Sequence, residues 1–191
     1  MSSVKGTQTE KNLLKSFAGE SQARNRYTYA ASVAKKEGYE QIAALFLETA
    51  EQEKQHAKRF FRFLEGGMLE ITAAYPAGVL ATTVENLRAA AAGEHEEHTI
   101  LYPEFAKTAK EEGFLQVAVQ FNTISKVEAF HEQRYLALLN NLEKDLVFKR
   151  DQPVKWICRE CGYIHEGTKA PDTCACCEHP KAFFQILKTE Y

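Results

Sequence analysis

The sequence predicts a mainly α-helical protein: a four-helix bundle with one long crossover, followed by a small metal-binding module of strands and loops. Three observations predict it. The chain contains an internal repeat of helical hairpins. Each helix carries an apolar stripe at steps of three and four. All five cysteines lie between positions 158 and 177.

The repeat is visible by eye. AKKEGYEQIAALF (34–46) matches AKEEGFLQVAVQF (109–121) at an offset of 75. Glu53-x-x-His56 matches Glu128-x-x-His131, and Tyr27 matches Tyr102, at the same offset. Each copy reads as helix, Gly-containing turn, helix, with Gly38 and Gly113 suited to the left-handed residue that ends a helix. The helices are expected at about 8–37, 39–65, 82–112 and 114–145. GGMLEITAAYPAG (66–78) lies between the second and third, and its glycines and Pro76 suit a crossover rather than a tight hairpin. The expected units are a bundle over 1–146, a linker over 147–152 and a tail domain over 153–191.

The stripes contain charges. The first runs through Leu13, Phe17, Tyr27 and Ala31, and Glu20 falls on it. The second runs through Ile42, Phe46, Thr49, Phe60 and Phe63, and includes Glu53 and His56. The third (Val84, Leu87, Ala91, Leu101, Phe105) includes Glu94 and Glu97. The fourth (Val117, Phe121, Ile124, Tyr135, Leu138, Leu142) includes Glu128 and His131. The two hairpins pair Glu20 with Glu53 and Glu94 with Glu128 at one height, about 24 Å from each turn. Five carboxylates converging in an apolar interior need cations, since burying even one unpaired is costly. Two divalent ions reduce the formal charge of five carboxylates to about −1, and oxygen-rich ligation with two imidazoles suits iron or manganese. One Glu from each of two helices plus Glu-x-x-His from the other two is the di-iron carboxylate pattern.

Glu97 breaks the repeat. The offset is 74 between Glu20 and Glu94 but 75 between Tyr27 and Tyr102, so one extra residue lies between 94 and 102. A π-bulge absorbs such an insertion, and the expectation is that it aims Glu97 at the metals as a further ligand. The plain alternative is a solvent-facing Glu97. His95 and His98 are expected to point away from the stripe. For Tyr27 and Tyr102 two readings stay open: donors to ligand carboxylates or to a bound oxygen species, or packed core tyrosines.

Cys158-x-x-Cys161 and Cys174-x-x-Cys177 make two knuckles of a tetrahedral four-thiolate site, suited to one iron or one zinc. The tail is too short to build a sufficient core without a metal. Cys176 is left outside the tetrad. With 24 basic and 26 acidic residues the charge points to no nucleic-acid partner. No run is long enough for a membrane span. MSSVKGTQTEKN has no apolar leader region, so the expected compartment is the cytoplasm.

AGESQARNRY (18–27), EQEKQH (51–56), GEHEEH (93–98), EAFHEQRY (128–135) and CRECGYIHEG (158–167) together resemble the rubrerythrin family over essentially the whole chain. The resemblance implies a ferritin-like bundle with two non-haem irons and a C-terminal rubredoxin-like domain with one iron. It implies a peroxidase that reduces hydrogen peroxide to water in the cytoplasm, with electrons from an NADH-dependent reductase, often through a rubredoxin, and a head-to-tail homodimer. It further implies that Glu53 and Glu128 bridge the irons, that Glu20 and Glu94 are terminal, and that His131 holds the iron near Glu94. The other iron would exchange between His56 and Glu97, which with Tyr27 and Tyr102 form the expected catalytic group. Cys158, Cys161, Cys174 and Cys177 would hold the third iron, with zinc a possible substitute there or in one di-metal position. CACC (174–177) departs from the family, which commonly has Pro at position 175. That departure bears on the second knuckle's rigidity and its iron's potential, and Cys176 adds an oxidisable thiol. Two rivals remain: a ferroxidase or iron-handling protein, which would need no electron inlet, and a non-enzymatic electron carrier or redox sensor.

Overall fold

A computed structural model describes residues 3–189; positions 1–2 and 190–191, the outer edges of the two expected units, lie outside the described residues. The bundle consists of α1 (Gln8–Lys36), α2 (Glu40–Phe61), α3 (Thr83–Glu96), a π-helical segment (Glu97–Leu101), α4 (Tyr102–Glu111) and α5 (Leu115–Glu143). The third expected helix is therefore interrupted by a π segment inside the interval where the repeat gains a residue.

Both hairpin turns close in the same way. Gly38 (φ +84°) donates to the Lys35 carbonyl at 3.1 Å and Tyr39 to Ala34 at 2.8 Å. Gly113 (φ +87°) donates to Lys110 at 3.1 Å and Phe114 to Ala109 at 2.7 Å. These are Schellman closures, whose left-handed residue glycine adopts without a Cβ penalty. Each turn also carries a glutamate that caps the other hairpin. Glu37 accepts from the Thr83 N–H at 3.1 Å. Glu112 accepts from the N–H groups of Gln8 and Thr9 at 3.0 and 2.8 Å, and from the Thr9 hydroxyl at 2.6 Å. A carboxylate at a helix N-terminus satisfies unpaired N–H groups and opposes the helix dipole.

These caps fix the topology. The α1–α2 turn and the start of α3 share one end of the bundle; the α4–α5 turn and the start of α1 share the other. Residues 62–82 must run the bundle's length between α2 and α3, as a crossover does. Helix α2 ends at Phe61, earlier than the sequence pattern suggests, and the chain turns there through Phe63 and Leu64.

Two apolar clusters fill the interior. One, towards the α1–α2 turn, contains Tyr27, Ile42, Phe46, Leu87 and Tyr135. The other contains Leu13, Phe60, Tyr102, Phe121 and Ile124. The buried polar residues Glu20, Glu53, Glu94, Glu128 and His131 form a layer between them.

The tail is a three-stranded antiparallel sheet, β2–β1–β3, from β1 (Lys149–Cys158), β2 (Ile164–Lys169) and β3 (Phe184–Ile186). Residues 149–152, expected as linker, are the start of β1: Lys149 pairs with Lys169 across a register shift that the sequence alternation does not reveal. Trp156 is buried at the centre of a third cluster with Cys158, Cys174 and Phe184. The module sits at the α1–α2 turn, where Tyr39 stacks on Phe148 at 6.1 Å. No helix among the described residues is long and apolar enough to cross a membrane.

Glu112→Ala removes three hydrogen bonds at the α1 N-terminus and should destabilise the bundle by about 1 kcal/mol, as loss of a helix cap does. Urea denaturation of the two proteins measures it, and an unchanged midpoint would show the cap to be idle.

Candidate metal centre

The polar layer divides into two sets of donors. Glu20, Glu53, His56 and Glu128 place one donor atom each within 4.8 Å of one another, as do Glu53, Glu94, Glu128 and His131. Glu53 and Glu128 belong to both sets, and their oxygens are split between them. Glu53 turns Oε2 to His56 Nδ1 (2.8 Å) and Oε1 to His131 Nδ1 (3.0 Å). Glu128 turns Oε1 to His56 Nδ1 (2.9 Å) and Oε2 to His131 Nδ1 (2.8 Å). Of the two histidines, Glu20 Oε1 approaches only His56, at 3.9 Å, and Glu94 Oε2 only His131, at 3.8 Å. This is a di-iron carboxylate arrangement with two shared and two one-sided carboxylates.

The donors fit metal ions better than they fit each other. Glu20 Oε2, Glu53 Oε1, Glu94 Oε2, both Glu128 oxygens and His131 Nδ1 are buried without a well-aligned hydrogen bond. Buried polar atoms ordinarily find partners. Atoms close together but misaligned for hydrogen bonding have lone pairs aimed at common points between them, where cations sit.

Outer groups hold the donors in place. Tyr27, on α1, donates to Glu94 Oε1 at 2.5 Å, and Tyr102, on α4, donates to Glu20 Oε1 at 2.5 Å. Both tyrosines are thus carboxylate donors from the opposite hairpin as well as core residues. His131 Nε2 meets Gln52 Oε1 at 2.9 Å, so with its hydrogen on Nε2 the ring presents Nδ1 to the carboxylates. Gln52 is itself held by Arg134, which also bonds Thr49 and Glu48. Sequence reasoning missed Gln52 because one glutamine beside a Glu-x-x-His motif carries no pattern. Its place one residue before Glu53 was the available signal.

Glu97 joins neither four-donor set. It is half-buried in the π segment and lines a cleft of about 350 Å³ with Gly19, Gln22, Arg26, Tyr75 and Tyr102. Its carboxyl is raised well above the usual range, by burial first and then by the Glu94 charge. The two histidines differ in access: the His56 side chain is 13% exposed and that of His131 is 0%. His95 and His98 point away from this layer and bond Glu132.

Without metals the imidazoles supply the countercharge. Burial pushes His56 down, but Glu128 and Glu53 outweigh it and lift it to about 10. Burial is likewise overcome at His131, lifted to about 12 by Glu128, Glu53 and Glu94. Burial raises Glu53, but the two imidazoles bring it down to about 2. Burial and the Glu53 charge push Glu94 up to about 8.

In the tail, Cys158, Cys161, Cys174 and Cys177 converge, with Sγ separations of 3.8 Å (158–177) and 3.6 Å (161–174). A tetrahedral ion with metal–sulfur bonds of about 2.3 Å needs separations of about 3.8 Å. Both knuckles close alike: Gly162 N–H donates to the Cys158 carbonyl, and Glu178 N–H to that of Cys174, each at 2.9 Å. Ala175 and Cys176 therefore leave the second knuckle's turn intact, and Cys176 lies exposed outside the tetrad. Burial raises Cys174, but the backbone N–H groups of Cys176 and Cys177 outweigh it and bring the thiol to about 7.

Metal-free protein should lose stability as pH rises. The histidine contribution is complete below about 6.5 and disappears through about 10 and then 12. The Glu53 contribution holds above about 4.5 and is lost only as pH falls through about 2. Glu94 adds to the alkaline loss, since its cost grows from about 4.5 to 8. Thermal melts of stripped protein should therefore fall steadily from pH 6.5 to 9, whereas metal-loaded protein, whose ligands bind deprotonated, should not. A flat profile for the stripped chain would contradict the imidazolium countercharge.

Comparison with known proteins matches both halves of this geometry. Residues 11–139 match the family model described as Rubrerythrin, and residues 156–185 that described as Rubrerythrin, rubredoxin-like domain. The chain is 65% identical over 189 residues to the rubrerythrin of Porphyromonas gingivalis, covering 99% of this chain and 94% of that protein. It is 57% identical over 187 residues to the rubrerythrin of Nitratidesulfovibrio vulgaris, covering 98% of each. Among solved structures, a mixed-valence state of nigerythrin is similar at a TM-score of 0.64 and 32% identity, over 97% of this chain and 92% of that one. With a ferritin-like bundle followed by a four-cysteine module, the chain belongs to the rubrerythrin family of oxidoreductases.

Proposed function

We propose that this protein is a non-haem di-iron peroxidase that reduces hydrogen peroxide to water in oxidative-stress defence. Electrons would come from an NADH-dependent reductase, directly or through a rubredoxin, and Cys158, Cys161, Cys174 and Cys177 would hold a single iron that supplies one-electron transfer. The observation that carries this reading is the asymmetry of the buried centre. One side, with Glu94 and His131, is sealed. The other contains His56, whose side chain is 13% exposed, and Glu20, which is held by Tyr102 of the cleft that Glu97 also lines.

In this reading Glu53 and Glu128, which belong to both donor sets, would hold both irons, Glu20 and Glu94 would each hold one, and His131 would complete the sealed side. His56 and Glu97 are the two side chains available to the open side. When bound, two ferrous ions supply the two electrons that, with two protons, convert peroxide into two waters. The chain's own groups do the positioning. Tyr102 and Tyr27 hold Glu20 and Glu94 through their hydroxyls. Gln52 fixes the ring of His131. Glu97 lines the cleft, where its carboxyl is placed to pass a proton to leaving oxygen. Tyr75 and Phe105 form aromatic walls of the cleft.

The tail supports an electron inlet. Two units, the bundle and the tail that begins with β1, divide the work into reduction and delivery. The tail meets the bundle at Gly38, where Ala182 Cβ lies 3.8 Å from the position of an added Cβ. Glu53 is fifteen residues further along the chain, about 22 Å at helical rise. That gap supports a head-to-tail homodimer in which one chain's tail serves the other's centre. A reduced tetrathiolate fits a reducing compartment, and we place the protein in the cytoplasm.

Iron-loaded protein mixed anaerobically with hydrogen peroxide should consume it without releasing dioxygen, and NADH with a reductase should sustain turnover. Peroxide loss no faster than with free ferrous ion, or continued uptake of iron as the product, would favour the ferroxidase reading. Glu97→Ala should retain its metals but lose about tenfold or more of peroxide turnover. Unchanged turnover would remove Glu97 from the catalytic group.

A further inference from the structure

We propose that His95, His98 and Glu132 form a further metal site, open to solvent, for one divalent transition-metal ion such as Zn²⁺ or Fe²⁺. The site lies on the outer side of the bundle from the buried centre and does not depend on the peroxidase reading. His95 is in the last turn of α3, His98 in the π segment, and Glu132 on α5. His95 Nδ1 is 3.0 Å from Glu132 Oε1, and His98 Nε2 is 2.6 Å from Glu132 Oε2. One donor atom from each residue lies within 4.8 Å of the others.

The donor set selects the ion. Two imidazoles and one carboxylate leave coordination positions for water, a combination suited to Zn²⁺ and Fe²⁺ rather than to calcium or magnesium, which prefer oxygen. The site is partly pre-formed. Glu132 and His98 are 18% and 19% exposed, and His95, at 59%, is the flexible arm. The backbone of His98 is tied across to α5 by the Ser125 hydroxyl at 3.1 Å. Glu132 has no side-chain partner but these two histidines among the described residues.

Bundle packing does not require this cluster, because the other half of the repeat does without it. By the repeat offsets, His95 corresponds to Ser21 and Glu132 to Ala57. There the surface is lined instead by Arg24, Lys54 and Lys58, which repel a cation. The triad is also joined to the inner centre through the backbone: His95 follows Glu94, His98 follows Glu97, and Glu132 follows His131.

The test uses full-length protein already loaded with iron and freed of loose metal, its metal count per chain serving as the baseline. Dialysis against low-micromolar Zn²⁺ should add one zinc per chain with no iron lost. The double variant His95→Ser with Glu132→Ala carries the residues of the first repeat at these places. It should bind the added zinc about tenfold or more weakly, with its iron count and circular dichroism unchanged. If that variant fails to fold, His98→Gln repeats the measurement. No added zinc in the parent protein, zinc gained only as iron is displaced, or equal zinc in a folded variant would overturn the proposal.

Discussion

Everything in this structure answers to one constraint, the burial of four carboxylates in one layer of a helical bundle. Glu20, Glu53, Glu94 and Glu128 are each at most 1% exposed. Charges so placed unfold a bundle unless opposite charge reaches them. Two histidines provide it in part, and two metal ions complete it. The apolar clusters on either side of the layer make the low-polarity surroundings in which such ions are held tightly. They also supply the tyrosines that aim Glu94 and Glu20.

A pseudo-two-fold relation between the hairpins organises the answer. Each hairpin sends a tyrosine to the other's one-sided carboxylate, and each turn sends a glutamate to cap the other's first helix. The same few contacts therefore dock the hairpins and set the ligands, so assembly and site geometry depend on each other. Function enters where the symmetry fails. The π segment gives the second hairpin one extra residue and brings Glu97 to the cleft. The same segment contributes His98 to the outer triad.

The tail follows a different logic. It has one small apolar cluster around Trp156, and its two knuckles converge four thiols at spacings set by a tetrahedral ion. It packs at the α1–α2 turn, at the far end from the α4–α5 turn.

The sequence by itself determined the helices, the repeat, the ligand residue types and the two cysteine knuckles. These are written in local periodicity and spacing, which depend on 3.6 residues per turn and on tetrahedral thiolate geometry. It even located the π segment, because an insertion in one of two related helices has to be absorbed where it occurs. Only the tertiary structure decided which oxygen of Glu53 and Glu128 faces which histidine, and which tyrosine serves which carboxylate. It alone showed that Gln52 orients His131, that Glu37 and Glu112 cap reciprocally, and that 149–152 is strand rather than linker. Those features arise between segments far apart in sequence, and a single glutamine or glutamate on a helix gives no periodic sign of the partner it will meet.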